Sequence, residues 1–346
     1  VGVDSTLSIQ GSTLEHGYGQ HGGCIYASSG KGISIDTSVF RHNEASFGGA
    51  IFTSYLTTFK VKNSDFYQNS SSQSGDDILI GNGDEAIIGP GVSFLGESDL
   101  TRVSVEATTK VTIKGIIMDR LQQTQEGNEN EQNRGTKQEL SETDLDEQNQ
   151  TKQFIAKYLE QNPILNNRYT YKDFFDESPA VVFPSETFSD KSPIVILDGT
   201  NIEISHSVFR NQRSASLAGA LQLRWLNGFD NVGRENRSAS VDTSFFIDNT
   251  SIDGPGALDL ENPPQLTLVN NTFVRNVSLQ AKGGAIDFSC PSKSCEVNIK
   301  QGTSTSQFTN NISKQAGGAF YWSDIGPKID EGAIAFVDNF SNFGPN

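Results

Sequence analysis

The pattern best suited to chemistry in this chain is a pair of adjacent carboxylates. Asp76 and Asp77 directly follow Gly75, and two carboxyl groups side by side are what glycosidases use to protonate and attack a glycosidic bond. This pair, however, occupies the place where comparable segments of the chain read Gly-Gly-Ala-Ile. The sequence therefore favours an ordinary turn here, and we predict no catalytic residue.

Two cysteines lie close enough in sequence to form a small disulfide loop. Cys290 and Cys295 bracket the tetrapeptide Pro-Ser-Lys-Ser, and Cys24 is left over. A local disulfide is favoured in an oxidising compartment, and a pair of reduced thiols is the alternative. No His or Cys cluster accompanies the pair, which argues against zinc.

The remaining metal-binding side chains do not suggest a cofactor site. The four histidines are widely separated in the sequence: His16, His21, His42 and His206. We therefore predict no metal or cofactor, although acidic side chains at the surface leave a structural calcium ion open as an alternative.

The charge of the chain limits the classes of partner. There are 42 acidic and 26 basic residues, for a formal net charge of −16. Such a field repels nucleic acid and anionic lipid, so we expect no nucleic-acid partner. There is also no apolar run long enough to span a bilayer.

N-glycosylation acceptor sequences, Asn-x-Ser/Thr, are frequent. They favour the secretory route and an extracellular or cell-surface location. The acceptor asparagines are Asn69, Asn149, Asn236, Asn249, Asn270, Asn276, Asn311 and Asn339.

A repeat dominates the sequence, and its first feature is a pair of apolar residues separated by one position. Alternation with period two places both members of a pair on the same face of a strand. The pairs are Leu7/Ile9, Ile33/Ile35, Phe59/Val61, Val111/Ile113, Ile202/Ile204, Leu266/Leu268 and Val297/Ile299.

A large apolar residue, usually Phe, follows each pair, and Asn usually follows this Phe by three positions. Phe209 is an exception, because its asparagine is Asn211. The phenylalanines expected to stack in the interior are Phe40, Phe66, Phe209, Phe246, Phe273, Phe308 and Phe336.

A glycine turn then opens the next apolar pair, as in Gly48-Gly49-Ala50-Ile51 and Gly283-Gly284-Ala285-Ile286. A unit of roughly 27 residues is too short to bury a core alone, so successive units must stack as coils of a solenoid. The sequence predicts an all-β fold, a single-stranded right-handed parallel β-helix of about ten coils.

The Gly-Gly-Ala-[Ile/Leu/Val] and Phe-x-x-Asn repeats resemble those of the chlamydial polymorphic membrane proteins and of large ciliate surface proteins. Gly317–Phe320 with Phe308/Asn311 is one such pair of motifs, and the likeness covers residues 5–80 and 194–346. It implies a pectin-lyase-like β-helix displayed at a surface, often for adhesion. The chain contains neither the autotransporter barrel nor the membrane anchor of those relatives, so their export and anchoring do not carry over.

One long insert interrupts the repeat. Residues 119–190 separate N-terminal coils, 1–118, from C-terminal coils, 191–346, that continue the same solenoid. The insert begins with a polar, Gln- and Asn-rich stretch typical of disorder, and Thr151–Gln161 has helical spacing. An aromatic and Pro-rich run, Tyr169–Phe188, follows. We expect the insert to fold back over the flank of the solenoid, with a docking arm as the alternative.

The Phe-x-x-Asn asparagines allow two incompatible interpretations. They either form an internal hydrogen-bonded ladder or carry glycans at the surface, and branched sugars one coil apart would collide. The ladder is favoured for most of them. Glycans are then expected first at Asn149, Asn236 and Asn270.

The function that fits these features is a non-enzymatic structural or adhesive module, outside the cell or on its surface. Its partners would be further copies, other surface proteins or glycans, and a filament or surface array is a natural form. The alternative is a carbohydrate-binding or polysaccharide-degrading β-helix, with loop aromatics such as Trp225 lining a glycan groove.

Overall fold

The structure, a computed structural model, describes residues 4–96, 98, 100–120, 144–161, 191–226, 237–291 and 295–343. Parallel strands occupy four positions around one elongated core, and successive coils add neighbouring strands at each position. At the third position the described residues form two separate sheets, of three and five strands. The predicted parallel β-helix is confirmed, and its first two sheets have ten strands each among the described residues.

Sheet one carries the alternating apolar pairs. Ile35, Val61, Ile204 and Leu268, which occupy equivalent positions in their coils, are at most 1% exposed and point inward. Its strands are β1 (Thr6–Gln10), β5 (Gly30–Asp36), β9 (Leu56–Lys62), β13 (Glu85–Ile88), β16 (Lys110–Lys114), β19 (Asn201–Ser205), β23 (Ser238–Asp242), β27 (Leu266–Val269), β31 (Val297–Lys300) and β35 (Lys328–Ile329).

Sheet two carries the phenylalanines. Its strands are β2 (Thr13–Glu15), β6 (Val39–Arg41), β10 (Asp65–Tyr67), β14 (Val92–Leu95), β17 (Ile116–Asp119), β20 (Val208–Arg210), β24 (Phe245–Ile247), β28 (Thr272–Val274), β32 (Ser306–Thr309) and β36 (Ile334–Val337).

Sheet three is divided into two parts, and sheet four runs unbroken through nine coils. Sheet three comprises β3 (Tyr18–His21), β7 (Glu44–Phe47) and β11 (Ser70–Ser74), then β21 (Arg213–Ser214), β25 (Thr250–Ser251), β29 (Val277–Ser278), β33 (Ile312–Ala316) and β37 (Phe340–Phe343). Sheet four comprises β4 (Ile25–Ala27), β8 (Ile51–Ser54), β12 (Ile78–Gly81), β15 (Val103–Glu106), β18 (Ile194–Leu197), β22 (Leu221–Arg224), β26 (Leu258–Glu261), β30 (Ile286–Ser289) and β34 (Phe320–Ser323).

The phenylalanines form the stack that the repeat predicts. Neighbouring rings lie 4.7 to 5.3 Å apart along the axis, and all of them are buried except Phe336, which is 45% exposed on the last described strand of its sheet. Phe94 also belongs to the stack, and Met118 continues it towards Phe209. The sequence pattern missed Phe94 because Gly89-Pro90-Gly91 lengthens the preceding turn.

Polar side chains link the coils at the bend between sheets one and two. Here one residue takes a left-handed backbone conformation, as Thr243 does at φ 46°, and a serine or asparagine follows it. The Ser38 backbone N–H donates to Ser64 Oγ at 3.1 Å, and Ser244 N–H donates to Asn271 Oδ1 at 3.0 Å. We call this series the serine ladder. Its sequence signal, Ser-x-Phe, was present but not used.

The insert leaves the solenoid without breaking it. Strand β16, before the insert, and strand β19, after it, pair directly in parallel. Lys110 lies opposite Asn201, and Lys114 lies opposite Ser205. Helix α1 spans Asp144–Gln161 and therefore starts earlier than the expected Thr151. Ile155 and Tyr158 pack on the outer side of sheet two, and the Tyr158 hydroxyl donates to buried Asp119. The helix therefore covers one flank, as expected.

Candidate functional site

The bend between sheets three and four brings outward side chains together on the outside of the solenoid. The His21 ring packs against Tyr26 and Phe52, and Lys282 Nζ donates to the Tyr321 hydroxyl at 2.9 Å. We call the surface along this bend the corner groove.

Glycine builds this corner because there is no room for a side chain. A Cβ on Gly256 would lie 2.1 Å from the carbonyl oxygen of Gly284 in the next coil. Gly48 has a φ of +62°, a conformation that L-residues rarely adopt. The Gly-Gly-Ala motif therefore reflects a steric limit at the corner of the coils that carry it.

Three central coils build the same corner from larger residues. The pairing of Ile78 with Ile51 and Val103 puts Asp77 above Ala50, and Arg102 above Asp77. The residues that replace the second glycine and the alanine are Asp76-Asp77, Thr101-Arg102 and Ser192-Pro193.

Asp77 and Arg102 form an ion pair inside the solenoid. Their side chains are 0% and 2% exposed, and Arg102 Nε lies 2.7 Å from Asp77 Oδ2. The Asn69 amide donates to Asp77 Oδ1 at 2.8 Å, and the Arg102 guanidinium also donates to two backbone carbonyls. Burial raises the pKa of Asp77, while Arg102 and Asn69 oppose that rise.

Both carboxylate oxygens of Asp76 also accept hydrogen bonds. One of its carboxylate oxygens accepts from the backbone N–H and the hydroxyl of Ser71, and the other accepts from Ser98 and from the Leu100 N–H. Asp76 is 2% exposed. Neither carboxylate of the pair is accessible to a polysaccharide. The corner is therefore structural, as the sequence predicted, but buried charged side chains form it in place of glycine and alanine.

A second pair of aspartates points into the corner groove. Asp259 and Asp287 are the outward residues of β26 and β30 and pair in register in adjacent coils. Gln222 donates to Asp259 Oδ2 at 2.9 Å. Burial raises the pKa of Asp259 to about 6, and burial together with Asp259 raises that of Asp287 to about 7. Sequence reasoning missed this pair, whose only signal was an Asp at the same place in two repeats.

Lys282 and Tyr321 complete this part of the groove. Lys282 Nζ lies 4.4 Å from the centre of the Tyr321 ring as well as bonding its hydroxyl. An amide, two carboxyls, an ammonium group and a phenol therefore line four consecutive coils. Such a row can exchange protons near neutral pH and can bond the hydroxyl groups of a ligand.

At the opposite end the groove is lined by rings. His21, Tyr26, Phe47 and Phe52 lie with ring centres 5.0 to 5.6 Å apart, and we call them the aromatic patch. Tyr26 is 51% exposed and the others are half-buried.

The acceptor asparagines separate into buried and exposed groups. Asn249, Asn276 and Asn311 are 0% exposed, and the Nδ2 of each donates both to the Oδ1 of the next asparagine and to a phenylalanine carbonyl. Asn69 is 4% exposed, and its Nδ2 donates to the Phe40 carbonyl and to Asp77 Oδ1 in place of an asparagine. Asn339 is half-buried at the end of this asparagine ladder.

The ladder corrects the exception at Phe209. Gln212, and not Asn211, takes the ladder position. Its backbone N–H donates to Asn249 Oδ1 at 3.0 Å, and its longer side chain reaches the Met118 carbonyl. Asn211 instead takes a left-handed backbone conformation, at φ 56°, in the bend between sheets two and three.

Of the three asparagines expected to carry glycans first, Asn149 is exposed on α1 and Asn270 is half-buried. The side-chain Oδ1 of Asn270 accepts from the Ser304 backbone N–H at 3.0 Å. Asn236 lies outside the described residues, as does the aromatic run Tyr169–Phe188.

Cys290 and Cys295 form the disulfide that their spacing suggested. The Cys24 thiol donates to Asn43 Oδ1 at 2.8 Å. Trp225, by contrast, is wrongly assigned to a glycan groove, because it is 1% exposed in the core and its indole N–H donates to the Gly199 carbonyl.

The histidines are not brought together into one site. His16 and His42 stack on each other, His21 joins the aromatic patch, and burial lowers the pKa of His206. Across the described ranges, no group of three or more His, Cys, Asp or Glu side chains is placed to hold a metal ion.

In the part of the chain that the structure describes, no helix combines the length and hydropathy needed to cross a membrane. In comparisons of the whole chain with known proteins, none of the family models, curated proteins or solved structures matches it.

Proposed function

We propose that this chain is a non-enzymatic structural and adhesive module, a rigid rod that acts outside the cell or on its surface. The observation that supports this most directly is the use made of the buried polar groups. Asn276, Ser244, Asp77 and Arg102 all bond neighbouring coils; the Ser244 hydroxyl does so by accepting from the Ser207 N–H. Buried groups that could do chemistry therefore serve to hold the coils in register.

Two further features favour an oxidising compartment. A disulfide closes the loop after β30, and such bonds persist mainly in secreted and surface proteins. Asn149, an acceptor asparagine, is exposed. The repeat motifs that resemble chlamydial and ciliate surface proteins agree with this location, and kinship with either group is part of the proposal.

The proposed partners are further copies of the chain, other surface proteins or glycans. Stiffness suits a display role, because a core of stacked coils holds surface groups at fixed intervals of ~4.8 Å along the rod. A filament or surface array is the form in which such rods would act together.

The test combines electron microscopy with adhesion. Purified protein, applied at increasing concentration, should appear as short rods that associate laterally or end to end, and it should bind to cell surfaces or extracellular matrix. Isolated rods at every concentration, together with no binding to any surface, would contradict the proposal.

The second candidate function is binding or degradation of carbohydrate in the corner groove. The observation that favours it is the Asp259–Asp287 pair, because a carboxyl group that titrates near neutral pH suits acid–base catalysis. Release of reducing sugar from a polysaccharide, lost in both Asp259→Asn and Asp287→Asn, would establish it. Asp253→Asn, an exposed aspartate of the same coil, is the matched control and should change nothing.

A further inference from the structure

The aromatic patch lies outside the hydrophobic core of the solenoid. Tyr26 and Phe52 are the outward residues of β4 and β8, opposite in direction to the core residues Ile25 and Ile51. Their rings are 5.6 Å apart and each also contacts His21. Rings that pack with each other outside the core, yet stay partly open to solvent, mark an interaction site.

We propose that the aromatic patch binds a neutral oligosaccharide, with sugar rings stacked on Tyr26 and Phe52 along the corner groove. The proposal rests on the adhesive role described above and names the class of ligand for it. It assigns the contact to the first two coils of sheet four, away from the Asp259–Asp287 pair.

The spacing of the rings supports a chain-like ligand. Phe52 pairs with Tyr26 in register, so the two rings are one coil apart, ~4.8 Å along the axis. This is close to the length of one sugar unit in an extended chain. Two successive sugars of such a chain can therefore each meet a ring.

The chemistry of the patch favours a sugar over an apolar partner. Its rings include a phenol and an imidazole, so that polar edges border the apolar faces. Sugars have the matching combination of apolar C–H faces and hydroxyl edges. The patch also comprises only four rings, while protein interfaces of useful affinity need roughly 800 Å² from each partner.

The charge of the chain decides between kinds of glycan. Phenylalanine and tyrosine contribute no charge to the patch, and the whole chain has a formal net charge of −16. An acidic polysaccharide would be repelled by that field. A neutral glycan meets no such barrier, so neutral sugars should bind and acidic ones should not.

The experiment is calorimetric titration of the intact protein with neutral hexaoses, namely cellohexaose, laminarihexaose, mannohexaose and chitohexaose, alongside a hexamer of galacturonic acid. At least one neutral hexaose should bind, and the acidic hexamer should not. Tyr26→Ala and Phe52→Ala should each weaken binding by about tenfold, which corresponds to about 1.4 kcal/mol.

The control is Tyr55→Ala. Tyr55 is 66% exposed and lies three residues after Phe52, but it makes no ring contact with the aromatic patch in the described structure. Binding should be unchanged. Circular dichroism of each variant verifies the fold, and Tyr26→Ala keeps the test sound if Phe52→Ala unfolds.

Three results would overturn the proposal. No neutral hexaose binds; or one binds with equal affinity to Tyr26→Ala; or the protein self-associates through the patch, so that Tyr26→Ala abolishes a dimer instead of sugar binding. These outcomes are separable from failure of the adhesive role. Adhesion that survives Tyr26→Ala refutes only the patch, whereas turnover of a bound hexaose refutes the non-enzymatic role and leaves the patch standing.

Discussion

Two regions of this solenoid turn the same corner by different means. The regular coils, before Gly75 and after Pro193, turn the corner with small residues, so that Ala220 and Ala257 stack with only a methyl group each at the interior position. In the central coils Asp77 and Arg102 fill the same interior position with a buried ion pair. The backbone path is nevertheless continuous, since sheet four runs through both regions.

The difference teaches that coil geometry and side-chain chemistry are separable here. In the regular coils, small residues allow the backbones of neighbouring coils to approach closely at the corner. Charges hold it only when every donor and acceptor is matched, because an unpaired buried charge is costly. Among the described residues, the central coils are also where sheet three is interrupted and where α1 covers sheet two. The central coils therefore differ from the regular coils at three places: the corner, sheet three and the outer side of sheet two.

The largest expected effect comes from breaking the ion pair. Arg102→Met should destabilise the fold by about 3–5 kcal/mol, because it leaves the Asp77 carboxylate buried without its cation. Urea unfolding measures the loss. The double variant Asp77→Ala/Arg102→Met, which restores an uncharged corner like that of the regular coils, should recover a large part of it. If the single and double variants are equally unstable, the pair does not hold the corner.

The asparagine ladder gives the next effect. Asn276→Ala removes acceptors from the Asn249 N–H and amide and a donor from the Phe246 carbonyl, and it should cost about 2–4 kcal/mol. Thr267→Ala, at an outward position of the same coil, is the control and should cost less than about 1 kcal/mol. Similar losses in the two variants would remove the ladder from the account of stability.

Glycan mapping tests the same division. When the chain is expressed through a secretory pathway, mass spectrometry after endoglycosidase treatment should find glycans at Asn149 and none at Asn249, Asn276 or Asn311. A folded protein with a glycan at Asn276 would contradict the buried ladder, because its Nδ2 already makes two hydrogen bonds.

A smaller, pH-dependent effect is expected in the regular coils. The folded pKa of Asp287, about 7, lies above its ordinary value, so the native state binds more protons than the unfolded chain between about pH 4 and pH 7. Stability should therefore fall as pH rises from about 4 to about 7 and level off above that. Asp287→Asn should remove about 1–2 kcal/mol of this loss. Chemical denaturation at pH 5 and pH 8 measures it, and an identical pH dependence in the variant would refute the assignment.

The smallest effect tests the serine ladder. Ser244→Ala removes the hydroxyl that donates to the Asp242 carbonyl at 3.0 Å and that faces the Ser207 N–H. A loss of about 1 kcal/mol is expected from urea unfolding. Thr267→Ala, on an outward position of the next coil, serves as the control. An equal loss in the control would show that the hydroxyl at the bend has no special role.

Much of the architecture could be read from the chain. Alternating pairs such as Ile33/Ile35 and the recurring Phe predicted the inward faces, because one coil must reproduce the pattern of the one beneath it. Phe94 was missed where a turn is one residue longer, and Gln212 was missed because a different side chain performs the same bonding. Periodicity predicts which positions face the core, but it does not detect a longer turn or a different side chain that makes the same hydrogen bond.

The functional surfaces were harder to predict, for a physical reason. Asp76 and Asp77 looked reactive and are buried, while Asp259 and Asp287 looked ordinary and line a groove. Trp225 looked like a surface aromatic and fills the core. Local sequence tells which face of a strand a residue occupies, but not which residues from other coils or across a bend surround it.

The sequence by itself determined the fold class, the inward-facing residues and the glycine corners, because these depend on period and on the steric limits of single residues. Only the tertiary structure decided which asparagines are buried, which aspartates are paired and where rings meet outside the core. Those outcomes depend on register, which brings residues 25 to 37 positions apart into contact, and no local pattern encodes that.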